Sequence, residues 1–239
     1  MNGLIALLGS GEYLPVMDEV DRYLLANCGA NGRKPRVVCL PTAAGDEGEK
    51  SVTRWSTMGV NHFTRLGADV QAVPVIDAKS ANDLNHASAV EDADVIYFSG
   101  GDPNYLYRTM KDSLVWQAAQ KAWARGAVYA GCSAGAMILG REMPDFRAMG
   151  IRSTAAFAIL PIASVMPHFN AIPLFGRPII ATMRRRLRDG EIMIGVDEDT
   201  AVIGKINQEW VVAGKSKAHV FSKDETASYS AGEKFSLGN

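Results

Sequence analysis

In the first half of the chain, short apolar runs alternate with longer segments whose apolar residues recur every three or four positions. Short apolar runs bounded by turn residues are typical of buried strands, and the longer spacing is typical of helices. The predicted strands are 4–8, 36–40, 70–75, 93–98 and 127–130, and the predicted helices are 14–26, 49–66, 80–91, 105–110 and 114–124. This alternation predicts right-handed β–α–β units, with helices on both faces of a mainly parallel sheet.

The pattern changes towards the C-terminus. Segment 140–154 is irregular, 174–188 has helical spacing, and short apolar runs follow at 192–196, 200–206, 209–212 and 218–221. Short runs separated by turns indicate antiparallel strands that finish the sheet. We therefore expect a doubly wound α/β fold with antiparallel C-terminal strands. No repeat or linker interrupts the chain, so residues 1–239 are predicted to form a single domain.

Composition excludes several classes of function. The 239 residues carry a net charge of −1 and are 47% hydrophobic, without a basic face that would bind nucleic acid. The apolar runs are shorter than the ~18 residues of a membrane span. The N-terminal run lacks basic flanking residues and is predicted to be a strand, not a signal peptide. Three widely spaced cysteines fit neither a disulfide framework nor a metal site, so we expect a cytoplasmic protein without metal or cofactor.

Two glycine-containing stretches follow predicted strands. Gly9-Ser10-Gly11-Glu12 lacks the third glycine of a dinucleotide-binding fingerprint, and it is predicted to be an ordinary turn between strand and helix. Ser99-Gly100-Gly101-Asp102 ends the fourth predicted strand. It is either a plain loop or a place where the backbone approaches a ligand, because glycine has no side chain to prevent that approach.

The predicted strand at 127–130 leads into Gly131-Cys132-Ser133-Ala134-Gly135, a Gly-x-Ser-x-Gly motif followed by small residues with helical spacing. A strand before the motif and a helix after it are the context of a nucleophile elbow, which exposes a serine at a strained turn. Ser133 would then lie at a helix N-terminus, where backbone N–H groups favour developing negative charge. The alternative is a tight turn whose serine only caps the helix.

A serine nucleophile needs a base and a group that orients the base. Among four histidines, His168 follows an apolar segment and Pro167, which fixes the approach of the chain. Any one of Asp197, Glu198 and Asp199, at the end of a predicted strand, could orient its imidazole, or all three could form a solvated turn. The order serine, histidine, acid differs from that of the α/β-hydrolases.

Four stretches together resemble the serine peptidases that include aspartyl dipeptidase (peptidase E) and cyanophycinase, relatives of the class I glutamine amidotransferases. They are Phe98–Asp102, Gly131–Ala136, Pro167–Phe169 and Gly195–Glu198. The resemblance implies a flavodoxin-like fold of the class I glutamine amidotransferase type. It also implies that Ser133 is the nucleophile, His168 the base and Glu198 the orienting acid. The implied oxyanion hole consists of the N–H groups of Gly101 and Ala134.

The resemblance implies a hydrolase that cleaves a small peptide or amide through an acyl-enzyme. Pro103-Asn104 and Met166-Pro167 depart from the cyanophycinases, so an aspartyl dipeptide is the closer expectation. Asn104 and Arg177 are the expected substrate contacts, whereas Arg184 to Arg186 are more simply explained as a solvated helix end. A glutamine amidotransferase would need cysteine in place of Ser133. A non-catalytic binding or regulatory protein, and assembly as a homodimer, are the alternatives left open.

Overall fold

Two β-sheets, a short hairpin and the surrounding helices form the structure. The computed structural model describes residues 2–145, 152–172 and 177–237, with only the backbone of Arg177. The strands are β1 (Ile5–Leu8), β2 (Arg36–Leu40), β3 (Asp69–Ala72), β4 (Val95–Phe98), β5 (Val128–Cys132), β6 (Glu142–Pro144), β7 (Ser153–Ala155), β8 (Ser164–Met166), β9 (Met193–Val196), β10 (Thr200–Gly204), β11 (Glu209–Gly214), β12 (Lys217–Phe221), β13 (Thr226–Ser230) and β14 (Lys234–Ser236). The α-helices are α1 (Asp18–Ala26), α2 (Glu49–Arg65), α3 (Leu84–Glu91), α4 (Pro103–Met110), α5 (Leu114–Arg125), α6 (Ala134–Met137) and α7 (Arg177–Arg185).

The central sheet has eight strands in the order β14-β11-β10-β1-β5-β4-β2-β3. The five strands from β1 to β3 along this order pair in parallel, whereas β10, β11 and β14 add an antiparallel edge. The predicted fold class, a mainly parallel α/β sheet with antiparallel C-terminal strands, is confirmed.

Helices cover both faces of this sheet, which explains why its parallel strands are almost continuously apolar. On one face, α1 and α2 contribute Leu24 and Phe63 to a core with Tyr97. On the other, α3, α4 and α5 pack around Phe98 and Trp116. Successive side chains of each strand point to opposite faces, so both cores are built from the same strands.

A second sheet, in the order β13-β12-β9-β8, lies outside the central one. The expectation that 192–196 and 218–221 would finish the central sheet is therefore wrong. β9 pairs in parallel with β8 and antiparallel with β12. The chain changes sheets at residues 197–199, where Asp199 has a φ of 54°. A short apolar run predicts a strand but does not identify the sheet to which that strand belongs.

Other predicted elements differ mainly at their boundaries. Segment 140–154, expected to be irregular, contains the β6–β7 hairpin. The helix predicted over 174–188 is described from Arg177 to Arg185, and 174–176 lie outside the described residues. None of the described helices has both the length and the apolar character needed to cross a membrane. The single-domain organisation stays a prediction.

The Asp94 carboxylate, just before β4, is hydrogen-bonded to the first residue of the neighbouring strand β2. Its side chain is only 3% exposed and accepts two hydrogen bonds from the Arg33 guanidinium, at 2.6 and 2.7 Å. It also accepts the Arg36 N–H at 2.8 Å. Burial alone would raise the pKa of Asp94, but the bonds from Arg33 and Arg36 hold this pKa below its ordinary value.

We expect Asp94→Ala to lower the free energy of unfolding by about 1.5–3 kcal/mol at pH 7, the range for hydrogen bonds to a charged group. A carboxyl whose pKa is depressed by folding stabilises the protein above its unfolded pKa of about 3.9. That stabilisation is lost as the pH falls through the folded-state pKa. Urea denaturation of wild type and variant should therefore show a difference that shrinks below about pH 4. A difference that is constant from pH 7 to pH 3 would contradict this role.

Candidate active site

The carboxyl ends of five strands meet at one edge of the fold. β4, β5 and β1 are neighbours in the central sheet, and their carboxyl ends lead to Gly100, Ser133 and Gly9. The parallel strands β8 and β9 lead to His168 and Glu198. Ligands of open α/β sheets bind at such edges, because loops from several strands converge there.

Ser133 lies between β5 and α6 in a strained backbone conformation, with φ 49° and ψ −106°. Its N–H donates to the Leu8 carbonyl at the end of β1, at 3.0 Å. The strand and the helix approach so closely that a Cβ on Gly131 would lie 2.3 Å from the Gly135 carbonyl oxygen. The motif therefore forms the predicted nucleophile elbow, in which the serine is presented by a turn that only small flanking residues allow.

His168 links Ser133 to Glu198. Its Nε2 lies 3.2 Å from Ser133 Oγ, and its Nδ1 lies 2.9 Å from Glu198 Oε1. A carboxylate only accepts hydrogen bonds, so Nδ1 carries the proton and donates it to Glu198. Nε2 then has a free lone pair that accepts from the Ser133 hydroxyl.

Glu198 is the member of the acidic turn that contacts His168. Asp197 is 4% exposed and turns the other way, where it accepts from Ser216 Oγ at 2.7 Å and from His219 Nε2 at 3.1 Å. Asp199 lies 4.0 Å from Lys215 Nζ. Because backbone direction alternates through this turn, three adjacent carboxylates have three different environments.

Ser133 and His168 border an open cleft of about 730 Å³. The His168 and Glu198 side chains are 43% and 45% exposed. The cleft is lined by Asp46, Glu47, Gly101, Asp102, Pro103, Asn104, Ser133, Met137, Pro144, Asp145, Pro167, His168, Ala171 and Ile172. Among these described lining residues, the ionisable side chains other than His168 are carboxylates. The cleft is thus accessible to water, and its described lining is acidic apart from His168.

The predicted oxyanion-hole residues are Gly101, in the loop after β4, and Ala134, the first residue of α6. Gly101 has a φ of 140°, which favours glycine, and its neighbour Asp102 donates its N–H to the Ala43 carbonyl at 2.8 Å. Within the described residues, the N–H groups of Gly101 and Ala134 donate no hydrogen bond to the protein. Neither N–H group is therefore engaged by another described residue.

The predicted substrate contacts have different environments. Asn104 lines the cleft, and its Oδ1 accepts a hydrogen bond from Thr154 Oγ1 at 2.6 Å. Arg177 begins α7, but its side chain lies outside the described residues. Arg184 donates to the carbonyls of Ser222, Lys223 and Glu225 at 3.0–3.2 Å, so its guanidinium fastens α7 to the β12–β13 turn.

The remaining histidines and Cys132 have structural partners. His62 is buried and bonds Asp21 at 2.7 Å, His86 Nδ1 bonds the Ser80 carbonyl, and His219 bonds Asp197. Burial and the nearby Glu12 raise the pKa of the Cys132 thiol well above its ordinary value. Within the described ranges, no three His, Cys, Asp or Glu side chains are grouped to hold a metal ion.

Sequence reasoning missed three residues that fix the site loops. Asn170 Oδ1 accepts the Glu198 N–H at 2.9 Å, which joins the histidine loop to the acid turn. Ser10 Oγ accepts the Asp199 N–H at 3.1 Å. Glu12 accepts the Gly100 N–H at 2.9 Å. The ordinary turn predicted over 9–12 is thus part of the site; its two glycines and acidic residue gave the only signal.

Comparison with known proteins identifies a family to which the chain is similar. A family model described as Peptidase family S51 matches residues 5–209. The crystal structure of a peptidase from an acI-B1 Actinobacterium is 38% identical in sequence and superimposes with a TM-score of 0.88. That match covers 99% of this chain and 97% of the other.

Two curated sequences are more distant. YgaJ, an uncharacterized peptidase of Bacillus subtilis (strain 168), is 29% identical over 174 residues, which cover 71% of this chain and 70% of the relative. Peptidase E of Citrobacter koseri (strain ATCC BAA-895 / CDC 4225-83 / SGSC4696) is 27% identical over 150 residues. This second match covers 61% of this chain and 63% of the relative, just under two thirds of its length.

Proposed function

Because the chain belongs to peptidase family S51 and is a serine-type peptidase, we propose that Ser133, His168 and Glu198 form its catalytic triad. The observation that carries the proposal is the hydrogen-bonded chain from Ser133 Oγ through His168 to Glu198 Oε1, with distances of 3.2 and 2.9 Å. It has the geometry of a nucleophile, a general base and an orienting acid.

Each residue then has a defined part in acyl transfer. His168 Nε2 takes the proton as Ser133 Oγ attacks the scissile carbonyl carbon, and it later gives that proton to the leaving amine. Glu198 holds the Nδ1–H tautomer and stabilises the imidazolium that forms between these steps. Water activated by His168 hydrolyses the resulting acyl-enzyme, which releases the acid product and restores Ser133. The open cleft gives water access for this second half-reaction.

The oxyanion hole is proposed to consist of the N–H groups of Gly101 and Ala134. A tetrahedral intermediate places negative charge on the former carbonyl oxygen, and preorganised N–H donors stabilise that charge more than they stabilise the substrate. Ala134 is the first residue of α6, where backbone N–H groups lack intrahelical partners. Gly101 supplies its donor from the neighbouring strand's loop.

The alternative, a binding or regulatory protein that retains the fold without catalysis, is disfavoured by the strained serine. Ser133 has a φ of 49°, a conformation that costs of order 1–3 kcal/mol in a residue other than glycine. Such strain is characteristic of functional sites. A binding surface alone would have no need for an imidazole held between this hydroxyl and a carboxylate.

We expect Ser133→Ala and His168→Ala each to lower kcat by about 10⁴- to 10⁶-fold, since the triad acts as a unit. Glu198→Gln should cost less, though more than about tenfold, because the imidazolium loses its charge partner. The measurements are peptide hydrolysis and covalent labelling by a fluorophosphonate probe.

Ser228→Ala is the matched control for this series. Ser228 Oγ also bonds a histidine, His219 Nδ1 at 2.9 Å, and that histidine bonds Asp197. It is outside the lining of the cleft. The control should retain activity and labelling. Hydrolysis that persists at the wild-type rate in Ser133→Ala would refute the proposed nucleophile.

The substrate is proposed to be a small peptide or amide. The carboxylates of the lining, including Asp46, Glu47 and Asp102, favour a substrate whose free amino terminus enters as an ammonium. An aspartyl dipeptide would bring its own carboxylate into this negative cleft. Arg177, at the start of α7, is the proposed partner of that carboxylate, because a guanidinium pairs with a carboxylate in a bidentate manner.

Arg177→Lys should reduce kcat/KM on an aspartyl dipeptide more than on the matching asparaginyl dipeptide. The difference should correspond to about 1.5–3 kcal/mol of lost transition-state stabilisation, the range for hydrogen bonds to charged groups. Arg184→Ala is the control in the same helix: its guanidinium fastens the β12–β13 turn, so the two substrates should be affected equally. Equal effects of Arg177→Lys on both dipeptides would exclude Arg177 as the recognition residue.

A further inference from the structure

The Gly9–Glu12 turn after β1 contacts the segments that carry Gly101, Ser133, His168 and Glu198. The Gly9 carbonyl accepts the His168 N–H at 3.3 Å, and Ser10 Oγ accepts the Asp199 N–H at 3.1 Å. Glu12 bonds Gly100, in the loop after β4, and Cys132, the last residue of β5. The turn is therefore the part of the fold to which the separate site loops are attached.

Glu12 is the charged member of this turn, and it is 8% exposed. One carboxylate oxygen, Oε1, accepts the Gly100 N–H at 2.9 Å. The other, Oε2, accepts the Cys132 thiol at 2.9 Å. These partners immediately precede Gly101 and Ser133 along the chain, so one buried carboxylate is bonded next to both the proposed oxyanion donor and the proposed nucleophile.

We propose that Glu12 is a positioning residue that holds the Gly100–Gly101 backbone in the orientation required by the oxyanion hole. This inference rests on the proposed function of Ser133 and Gly101. Glu12 is not among the described residues that line the cleft. It acts by fixing the peptide unit next to the one that supplies the Gly101 N–H.

Two adjacent glycines need such an anchor. Glycine has the largest conformational freedom of any residue, so a Gly-Gly loop does not hold one orientation by itself. The loop is fastened on one side by Glu12 at Gly100 and on the other by the Ala43 carbonyl, which accepts the Asp102 N–H at 2.8 Å. The Gly101 N–H lies between these two attachments.

Around Gly100, the Glu12 carboxylate and Ser133 lie close together. A Cβ on Gly100 would lie 2.8 Å from Glu12 Oε1 and 3.3 Å from Ser133 Cβ. Gly100 is thus packed between the carboxylate and the serine. A displacement of the loop after removal of the carboxylate would change the distance between the oxyanion donor and the position of attack, and donors act only within a narrow range near 2.7–3.1 Å.

Cys132 fixes the second oxygen of the carboxylate. Burial, together with the charge of Glu12 and the bond to it, raises the pKa of this thiol, so the thiol keeps its proton and donates it. Both oxygens of Glu12 are therefore engaged, and its side chain has one fixed orientation. A hydrogen bond from a backbone N–H to a carboxylate is also stronger than one to a neutral acceptor.

The test compares Glu12→Ala and Glu12→Gln with wild type in steady-state hydrolysis of one peptide. Glu12→Ala should lower kcat by about 10- to 100-fold, somewhat less than direct loss of an oxyanion donor, and leave KM within about threefold. Glu12→Gln keeps a carbonyl oxygen for the Gly100 N–H and should retain at least about a third of wild-type kcat. Glu12→Asp shortens the side chain by one methylene, which moves the carboxylate away from Gly100, so this variant should behave as Glu12→Ala does. It takes the place of Glu12→Ala in the test if the alanine variant does not fold.

Asp94→Ala is the matched control. Asp94 is also a buried carboxylate that accepts a backbone N–H, but it lies at the opposite end of β4 from Gly100. Its loss should reduce stability and leave the kcat of the folded protein unchanged. Hydrogen exchange of the Gly100 amide gives a readout independent of activity: it should be slow in wild type and Glu12→Gln, and at least about tenfold faster in Glu12→Ala.

The outcomes separate this inference from the proposed function. Wild-type kcat in Glu12→Ala, a loss confined to KM, or an equal loss in Asp94→Ala would overturn the positioning role while Ser133 remains the nucleophile. Unchanged exchange of the Gly100 amide in Glu12→Ala would overturn it as well. Wild-type protein that hydrolyses no peptide would instead refute the proposed function, and the inference with it.

Discussion

The position of β1 between a parallel and an antiparallel neighbour is the constraint on which the site depends. At its carboxyl end, the Leu8 carbonyl accepts the Ser133 N–H at 3.0 Å, and the Gly9 N–H donates to the Thr200 carbonyl at 2.9 Å. One bond fixes the elbow and the other fixes the strand that follows the acidic turn. Backbone pairing at a single strand end thus sets the distance between nucleophile and acid, before any side chain is considered.

The site concentrates backbone strain that the rest of the fold stabilises. Ser133, His168 and Asp199 have φ values of 49°, 50° and 54°, all in the left-handed region that residues with side chains rarely adopt. Each costs of order 1–3 kcal/mol. A sheet with helices on both faces buries enough apolar surface to offset this cost. The strained residues are in loops, while the strands that carry them belong to the two large cores.

Local patterns predicted much of this arrangement. The strand, elbow and helix around Ser133 follow from glycine spacing and apolar periodicity, and Pro167 marked the loop that presents His168. The resemblance drawn from four short stretches is confirmed by the family match over residues 5–209. The choice among Asp197, Glu198 and Asp199 depends on which way a tight turn faces, and composition does not encode that direction.

Long-range pairings were beyond the reach of sequence patterns. The run at 192–196 was correctly predicted to be a strand, yet its neighbours are β8 and β12, and no local signal specified them. Glu12 was missed for the same reason. Its partners Gly100 and Cys132 lie 88 and 120 residues away, and a single glutamate in a glycine-containing turn has no periodicity.

The most direct measurement of the central claim is to trap the acyl-enzyme. The protein is mixed with an activated ester of an amino acid, quenched in acid within the first turnover, digested and analysed by mass spectrometry. The proposed mechanism predicts one acyl group per chain, on the peptide that contains Ser133, and its disappearance in Ser133→Ala. Turnover without any acylated peptide, or acylation of Cys132 or another residue in place of Ser133, would contradict it.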